Sequence, residues 1–520
     1  MKKTISLCMI VKNEEQYLEN CLKSVSNFVD ELIIVDTGSV DSTIEIAKQF
    51  TENVFHFNWN NDFSKARNFS IKKATSDFIL ILDADEVISN PSRLLDLSND
   101  VDIYTLSIQN FQSNGSNYVH YANRIFKNNN LFKFNNRLHE QLNIKDFENI
   151  VVKKMEILIY HYGYLSENEV KQDKRRRNFN LIKVEVDEHP NPYNFYNLGR
   201  EYFLKRDYEK ALNQFKHSMR LSHTEVFTPD LINKMAHCLL NLNYFNEGIT
   251  VLKNGIKLYP YETEMYFTIS LLYSHNEEFR SAKKYLEKCI EMGDSGYQKT
   301  EGLGGYISYS ELSKIEMKLG NIKKSIFFIQ KAIKINKKYV PALIQMLSVI
   351  NVKFSNPIDK IIFIEKNYII ETKGDLTTLI EILYNTRDVL LGYFLRKYNI
   401  NVEPRVIGVA NLLECNYVKS FMCFEKINII EDDNFRDIFC LYFLTKSSDK
   451  FKNIKFKNID YNKKIFLAII QREKNIFVEN KEDREILIFR IKEVQELLIK
   501  MNCIKSKNVL DSYLDNLKSK

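Results

Sequence analysis

The chain has 520 residues, 44% hydrophobic and 27% charged, which is too long for one compact core and too ordinary in composition for a fibrous or disordered protein. A net charge of +7 from 74 basic and 67 acidic residues does not mark a nucleic-acid binder, and the basic run Lys174-Arg175-Arg176-Arg177 leads into amphipathic sequence, as a solvated helix face would. Eight cysteines without C-x-x-C spacing, an N-terminal apolar run of only about seven residues, and no apolar stretch approaching the roughly 18 needed to span a bilayer argue against structural zinc, secretion and integral membrane association, so a cytoplasmic protein with free thiols is expected.

Residues 5–82 alternate between strand and helix patterns. Ile5 to Val11 is a β-rich run, Tyr17, Leu18, Cys21, Leu22 and Val25 have helical spacing, and Leu32-Ile33-Ile34-Val35 is a buried-strand run. A helix over Ser42 to Phe50, a strand near Val54 to Phe57, a helix over Ser64 to Ala74 and the strand Phe78 to Leu82 follow. Such βαβ alternation predicts a mostly parallel sheet covered by helices. From about 101 to 161 the pattern turns to strands, with Ile103 to Gln109 and Tyr118 to Phe126 flanking Asn114-Gly115, a hairpin signal.

A period of about 34 residues then takes over. Phe195, Leu198, Gly199, Tyr202, Tyr208, Ala211 and Phe215 fit the tetratricopeptide pattern. Met235, Ala236, Leu239, Phe245, Gly248 and Leu252 form a second copy, and Ile269, Ser270, Tyr273, Phe279, Ala282 and Leu286 a third. A looser copy runs through Leu312, Ser313, Ile322, Ser325 and Ile329. Beyond about 345 helical spacing continues without a repeat, as in Ile486, Ile488, Ile491, Val494, Leu497 and Leu498. With 15 Gly, 8 Pro and no low-complexity linker, domains at 1–170, 171–340 and 341–520 are expected to abut directly.

Ligands of open α/β sheets bind where strands end. Asp36 ends an apolar strand, where a buried carboxylate needs a partner such as a nucleobase N–H. Gly38 permits a tight turn, and Asp41 or Ser42 can cap the next helix. Asp83-Ala84-Asp85-Glu86 follows Phe78 to Leu82 directly; two carboxylates at a strand end can hold a divalent cation that neutralises a diphosphate leaving group, although acidic turns also occur without any ligand. Arg67 and Arg124 suit a diphosphate through bidentate guanidinium geometry, against the plainer reading of ion pairs. His139-Glu140 is either a satisfied polar pair at a strand end or a functional one. His161 either donates to a carbonyl in the core or serves as a further metal ligand, with His139 the runner-up.

Cys8-Met9-Ile10-Val11-Lys12-Asn13-Glu14-Glu15, Val35-Asp36-Thr37-Gly38-Ser39 and Leu82-Asp83-Ala84-Asp85 together resemble family-2 glycosyltransferases of the GT-A fold, a Rossmann-like nucleotide-diphospho-sugar transferase architecture. Trp59-x-x-Asp62-Phe63-Ser64-x-Ala66-Arg67-Asn68 with the attached repeats resembles the subgroup that includes bacteriocin peptide S-glycosyltransferases. The resemblance covers about residues 4 to 340. It implies an inverting, Mn²⁺- or Mg²⁺-dependent transfer from a nucleotide-sugar, expected to be UDP-linked, to an acceptor. It places Asp36, Asp83, Arg67 and Glu14 at the nucleotide-sugar, Asp85 and His161 at the metal, and Glu140 with His139 at the acceptor as catalytic residues, Glu140 being the base. The family's Gln-x-x-Arg-Trp acceptor motif is absent, and Trp59 is the only tryptophan.

A repeat solenoid has a concave groove suited to a polypeptide, so a protein or peptide acceptor is expected, held around Asn194, Asn197, Arg200 and Glu201. The competing expectation is a cell-surface glycan acceptor with the repeats serving a homodimer. Two other readings have less support in the residues. A nucleotidyltransferase would want a Gly-rich loop where Lys12-Asn13-Glu14-Glu15 stands, and a non-catalytic repeat scaffold would have no reason to keep Asp36, Asp83, Asp85 and Glu140.

Overall fold

The computed structural model describes residues 3–111, 117–162, 168–297, 299–427, 434–447, 466, 469 and 481–518. The predicted hairpin turn Asn114-Gly115 lies outside these residues. Two compact units divide the chain, Met1–Gln345 and Met346–Lys520.

The first unit opens with β1 (Ile5–Val11), α1 (Leu18–Val25), β2 (Glu31–Asp36), α2 (Thr43–Lys48), β3 (Val54–His56), α3 (Phe63–Ile71) and β4 (Phe78–Ile81). After these come β5 (Glu86–Ile88), β6 (Ile103–Phe111), β7 (Asn117–Lys127), β8 (Phe134–Asn135), β9 (Gln141–Leu142) and β10 (Val152–His161). The main sheet runs β3-β2-β1-β4-β7-β6-β10-β5, with β1 to β4 mutually parallel and β7 antiparallel to both its neighbours. Strands β1, β2 and β4 are buried on both faces, which is why they read as unbroken apolar runs rather than alternating ones. One core layer packs Leu7, Met9, Ile34 and Leu80 against α1, and the other packs Cys8, Ile33, Val35 and Ile79 toward Phe69 and Phe126.

Helix α4 (Asn168–Glu188) leads into the paired helices α5 (Pro192–Leu204) and α6 (Tyr208–Leu221), α7 (Thr228–Asn241) and α8 (Phe245–Leu258), and α9 (Thr263–His275) and α10 (Phe279–Met292). The short strand β11 (Lys299–Thr300) precedes α11 (Tyr306–Lys318), α12 (Ile322–Ile335) and α13 (Val340–Lys353). These are the four repeat copies. The small residues sit where helices cross: Gly199 lies against the Phe215 ring, so closely that a Cβ there would run into it. Arg175 and Arg176 on α4 are exposed, while Arg177 packs 5.0 Å over the Phe63 ring.

Strand β11 is among the elements that the sequence did not foretell. It sits between the third and fourth repeats, yet pairs antiparallel with β7 through Lys299↔Val119 and Thr300↔Tyr118. The main sheet and the repeat region are therefore hydrogen-bonded to one another. The segment after β7 also packs on the first repeat, Leu138 being buried with Leu181, Ile182, Val186 and Leu198.

The second unit is helical throughout its described residues, from Pro357–Asn367 to Ile504–Lys518. In its helix Lys481–Lys500, Ile491, Val494, Leu497 and Leu498 are buried as their spacing predicts, but Leu487 takes the core position and Ile486 is exposed. No described helix is long and apolar enough to cross a membrane, and all eight cysteines are free thiols.

Candidate active site

The parallel strands end together, Val11 lying beside Asp36 and Asp36 beside His56. Asp36 is 3% exposed, and its carboxylate accepts the backbone N–H groups of Gly38 and Ser39, each at 3.0 Å, with His56 Nδ1 at 3.4 Å. Burial opposes its charge, but Ser39, Gly38 and His56 outweigh burial and hold its carboxyl below the usual range. The partner that this buried strand-end carboxylate needs is present in the turn after β2. The same turn is tied to the loop after β1. Asn13, at φ 56°, accepts from Val40 N at 2.9 Å, and Glu14 N donates to Thr43 Oγ1 at 2.7 Å. Asp41, rather than Ser42, receives the first amide of α2, accepting Thr43 N at 3.1 Å; Ser42 makes no side-chain cap.

Helix α3 explains the motif around Arg67. Asp62 caps it by accepting Lys65 N at 3.0 Å, and Trp59 packs edge-on against Phe63 with centroids 4.7 Å apart. One turn on, Asn68 takes both the N–H and the C=O of Phe134 at 2.8 Å, pinning β8 to the helix. Arg67 then reaches two ways, to Asp83 Oδ1 at 2.7 Å through Nη2 and to Glu140 Oε1 through Nε. Glu140 is thereby brought beside the carboxylates after β4, from a stretch separated from Arg67 by 73 positions.

Arg124, on β7, makes the second bridge, to Glu86 at 2.6 Å and Asp83 at 3.2 Å. Both arginines are buried and charged, their pKa values raised further because the carboxylates outweigh desolvation. Burial alone would raise Asp83, yet Arg67 and Arg124 hold its carboxyl well below the usual range. Glu86 goes the other way, pushed up to about 7 by its complete burial against the partial relief from Arg124, with the neighbouring Asp83 charge adding to the rise. The two carboxylates share one guanidinium, and Asp83, the more exposed, takes the charge. Arg67 Nη1 and Arg124 Nε are buried donors with no hydrogen-bond partner.

Asp85 faces His161, its Oδ2 3.2 Å from Nε2, while Nδ1 lies 2.7 Å from Asn110 Oδ1. Asn110 is 1% exposed and also meets His120 at 3.0 Å. An Nδ1–H donated to Asn110 fixes the ring and directs Nε2 at Asp85, the arrangement of a metal-ligating histidine with its orienting partner. Desolvation lowers the His161 pKa, but the hydrogen bond and charge of Asp85, with Glu86 and Asp83, raise it overall. The carboxylate and imidazole therefore fit a divalent cation, which would take the place of the shared proton. Among the described residues no group of three or more His, Cys, Asp or Glu side chains converges on a metal position, so these two would leave the remaining shell to ligand and water oxygens.

His139 is not part of that pair. At φ 54° it turns toward the repeats, with Nε2 buried, without a hydrogen bond and 3.9 Å from Glu201 Oε1. Its carbonyl accepts the Tyr193 hydroxyl of α5 at 3.3 Å. Of the repeat residues expected in the groove, Asn194, Asn197 and Glu201 are buried, Asn194 donating to His189 O at 2.8 Å, and only Arg200 is partly exposed. Sequence reasoning assigned no role to Glu86, Asn110 or Tyr193. A buried Glu beside the D-x-D pair was detectable as a costly charge wanting a cation; the other two carried no local mark.

Residues 6–155 match the model of Glycosyl transferase family 2, and residues 263–292 and 306–339 match the tetratricopeptide repeat. The SPbeta prophage-derived glycosyltransferase SunS of Bacillus subtilis (strain 168) is 32% identical over 229 residues, covering 42% of this chain and 53% of that relative. A TPR repeat-containing protein of Synechococcus elongatus is 54% identical over 82 residues, 16% of this chain and 20% of that one. The chain thus spans about half the length of SunS and less of the second relative. Among solved structures, glucosyl-3-phosphoglycerate synthase from Mycobacterium tuberculosis with Mg²⁺ and uridine-diphosphate aligns at 24% identity and a TM-score of 0.18, over 20% of this chain and 44% of that one. The N-terminal part of the chain, residues 6–155, is a domain of Glycosyl transferase family 2, and tetratricopeptide repeats follow it.

Proposed function

We propose that the chain is an inverting glycosyltransferase that moves a sugar from a UDP-linked donor to a polypeptide acceptor, with Mn²⁺ or Mg²⁺ as cofactor. The observation that carries this reading is the Arg67 bridge, which sets Glu140 beside the strand-end pair Asp83 and Asp85 in a family-2 domain. Asp36 is assigned to the base of the nucleotide, with Glu14 on the adjoining loop. Asp83 is assigned to the ribose or sugar. Asp85 and His161 would hold the cation, whose chemistry is to neutralise the departing diphosphate. The unpartnered Arg67 Nη1 and Arg124 Nε offer two further donors to that anion.

Glu140 takes the proton of the acceptor nucleophile as it attacks the anomeric carbon from the face opposite the nucleotide. Arg67 positions that carboxylate through its Nε. His139 carries the link to the repeats through its carbonyl, so its role is to position the loop that bears Glu140. A polypeptide acceptor is supported by the first repeat helix touching that same loop. The test is Glu140→Gln: turnover of a glycosylated acceptor should fall by roughly a hundredfold or more, as when a general base is lost, with UDP-sugar affinity nearly intact. Full activity of Glu140→Gln alongside an inactive His139→Ala would reverse the two assignments.

A further inference from the structure

We propose that the start of the repeat groove, at Asp230, Glu262 and Glu264, is a subsite for a cationic side chain of the acceptor polypeptide. The inference rests on the polypeptide reading above and adds to it the charge of the residue selected.

Asp230 on α7 is 4% exposed and accepts the Tyr196 hydroxyl; its second oxygen has no hydrogen bond and is met only by Lys234 at 3.3 Å. Three positions on, and so on the same face of α7, Asn233 is 3% exposed and its Oδ1 also lacks a partner. Two buried acceptor atoms on one helix face therefore lack a hydrogen bond, the Asp230 oxygen having only the Lys234 ion pair, and each such unmade bond costs free energy. Glu264, in the first turn of α9, and Glu262, just before it, lie close enough to Asp230 for all three charges to repel. Burial and then Asp230 push Glu264 up to about 7, with Lys234 opposing and Glu262 adding to the rise. Glu262 is fixed in place because Gly296, at φ 126°, leaves room for its carboxylate beside the chain and lets Tyr297 N donate to both oxygens at 2.9 Å. Arg200, the other cation of the region, lies 5.6 Å over the Tyr196 ring and donates to Asn197 at 3.2 Å. Of the three carboxylates, Asp230 alone has a cation within ion-pair distance among the described residues, Lys234 at 3.3 Å.

A metal ion is not the occupant these groups favour, since among the described residues no cluster converges tightly enough to ligate one. An ammonium or guanidinium group, larger and carrying several donors, matches spread acceptors better. The link to the transfer site is direct: His139 O receives Tyr193, whose ring lies 6.4 Å from Tyr196, which in turn donates to Asp230. A segment whose nucleophile sits at Glu140 would pass over these tyrosines with a nearby side chain above the carboxylates.

The experiment is binding of a position-randomised peptide library to the full chain, comparing wild type, Glu264→Gln and Glu264→Lys. Wild type should enrich Lys and Arg at one position; Glu264→Gln should weaken the bound cationic peptides about tenfold, and Glu264→Lys should shift enrichment toward Asp and Glu. That inversion is a gain that a misfolded variant cannot give. A wild-type library without Lys or Arg enrichment, or an enrichment that survives both substitutions, overturns the subsite. The bound peptides are then incubated with a UDP-sugar panel and Mn²⁺ and weighed by mass spectrometry. Cationic peptides that bind but never gain a sugar would leave the subsite standing and defeat the polypeptide-glycosylation reading instead.

Discussion

Replacing Arg67 by Met keeps most of its volume and removes the charge that joins Asp83 to Glu140. The Arg67 side chain is 9% exposed and Glu140 12%, so removal strands a nearly buried carboxylate, a change that costs about 3–5 kcal/mol in the general case. Asp83 is 36% exposed and keeps Arg124 at 3.2 Å, so solvent screening brings the expected loss to the lower end, about 3 kcal/mol. Trp59 lies against Phe63 at the head of the helix that bears Arg67, and as the only tryptophan it reports this domain selectively during urea unfolding. The effect should also depend on pH. Asp83 has a folded pKa depressed below its unfolded value, so its contribution is present above about pH 4 and is lost as pH falls through the folded value. In Arg67→Met that acid-side loss should shrink, because less stabilisation remains to lose. A urea midpoint equal to wild type at neutral pH, or an acid limb as steep as before, would refute the bridge as an energetic link.

Stripping divalent ions with chelator should abolish donor hydrolysis and transfer, with recovery on adding Mn²⁺ or Mg²⁺; full activity in excess chelator would remove Asp85 and His161 from their assignment. Asn110→Ala should weaken Mn²⁺ binding by roughly 10–100-fold in calorimetry while leaving both ligands in place, as loss of an orienting partner does. Gly199→Val should destabilise the first repeat by about 1–3 kcal/mol through collision with Phe215, read from the loss of helical circular dichroism on heating.

Much of the fold was legible because its signals are local. Leu32 to Val35 and Phe78 to Leu82 announce central strands by being wholly apolar, and the repeats announce themselves by small residues at fixed intervals. Helix ends moved by a few residues, α3 running Phe63–Ile71 where Ser64 to Ala74 was expected, since Asp62 rather than Phe63 provides the cap. The strands β5, β8, β9 and β11, of two or three residues each, were invisible because their existence depends on the neighbour they pair with. The site divides in the same way. Asp36, Asp83 and Asp85 stand at strand ends and could be found from one stretch of chain. That Arg67 spans Asp83 and Glu140, or that Asn110 orients His161, is decided by strand order, and no short window of sequence contains it.

The pairing of β11 with β7 sets an order of events during synthesis. Val119 waits for Lys299, and Leu138 for the helices that follow it, so the ribosome must deliver about three repeats before the edge of the first domain is covered. Until then an open strand and an apolar loop are exposed, the kind of non-local pairing that slows folding and invites aggregation. A chain cut after α4 would stay in that state, so loss of transfer by such a fragment would report an unfinished sheet as readily as a missing acceptor groove.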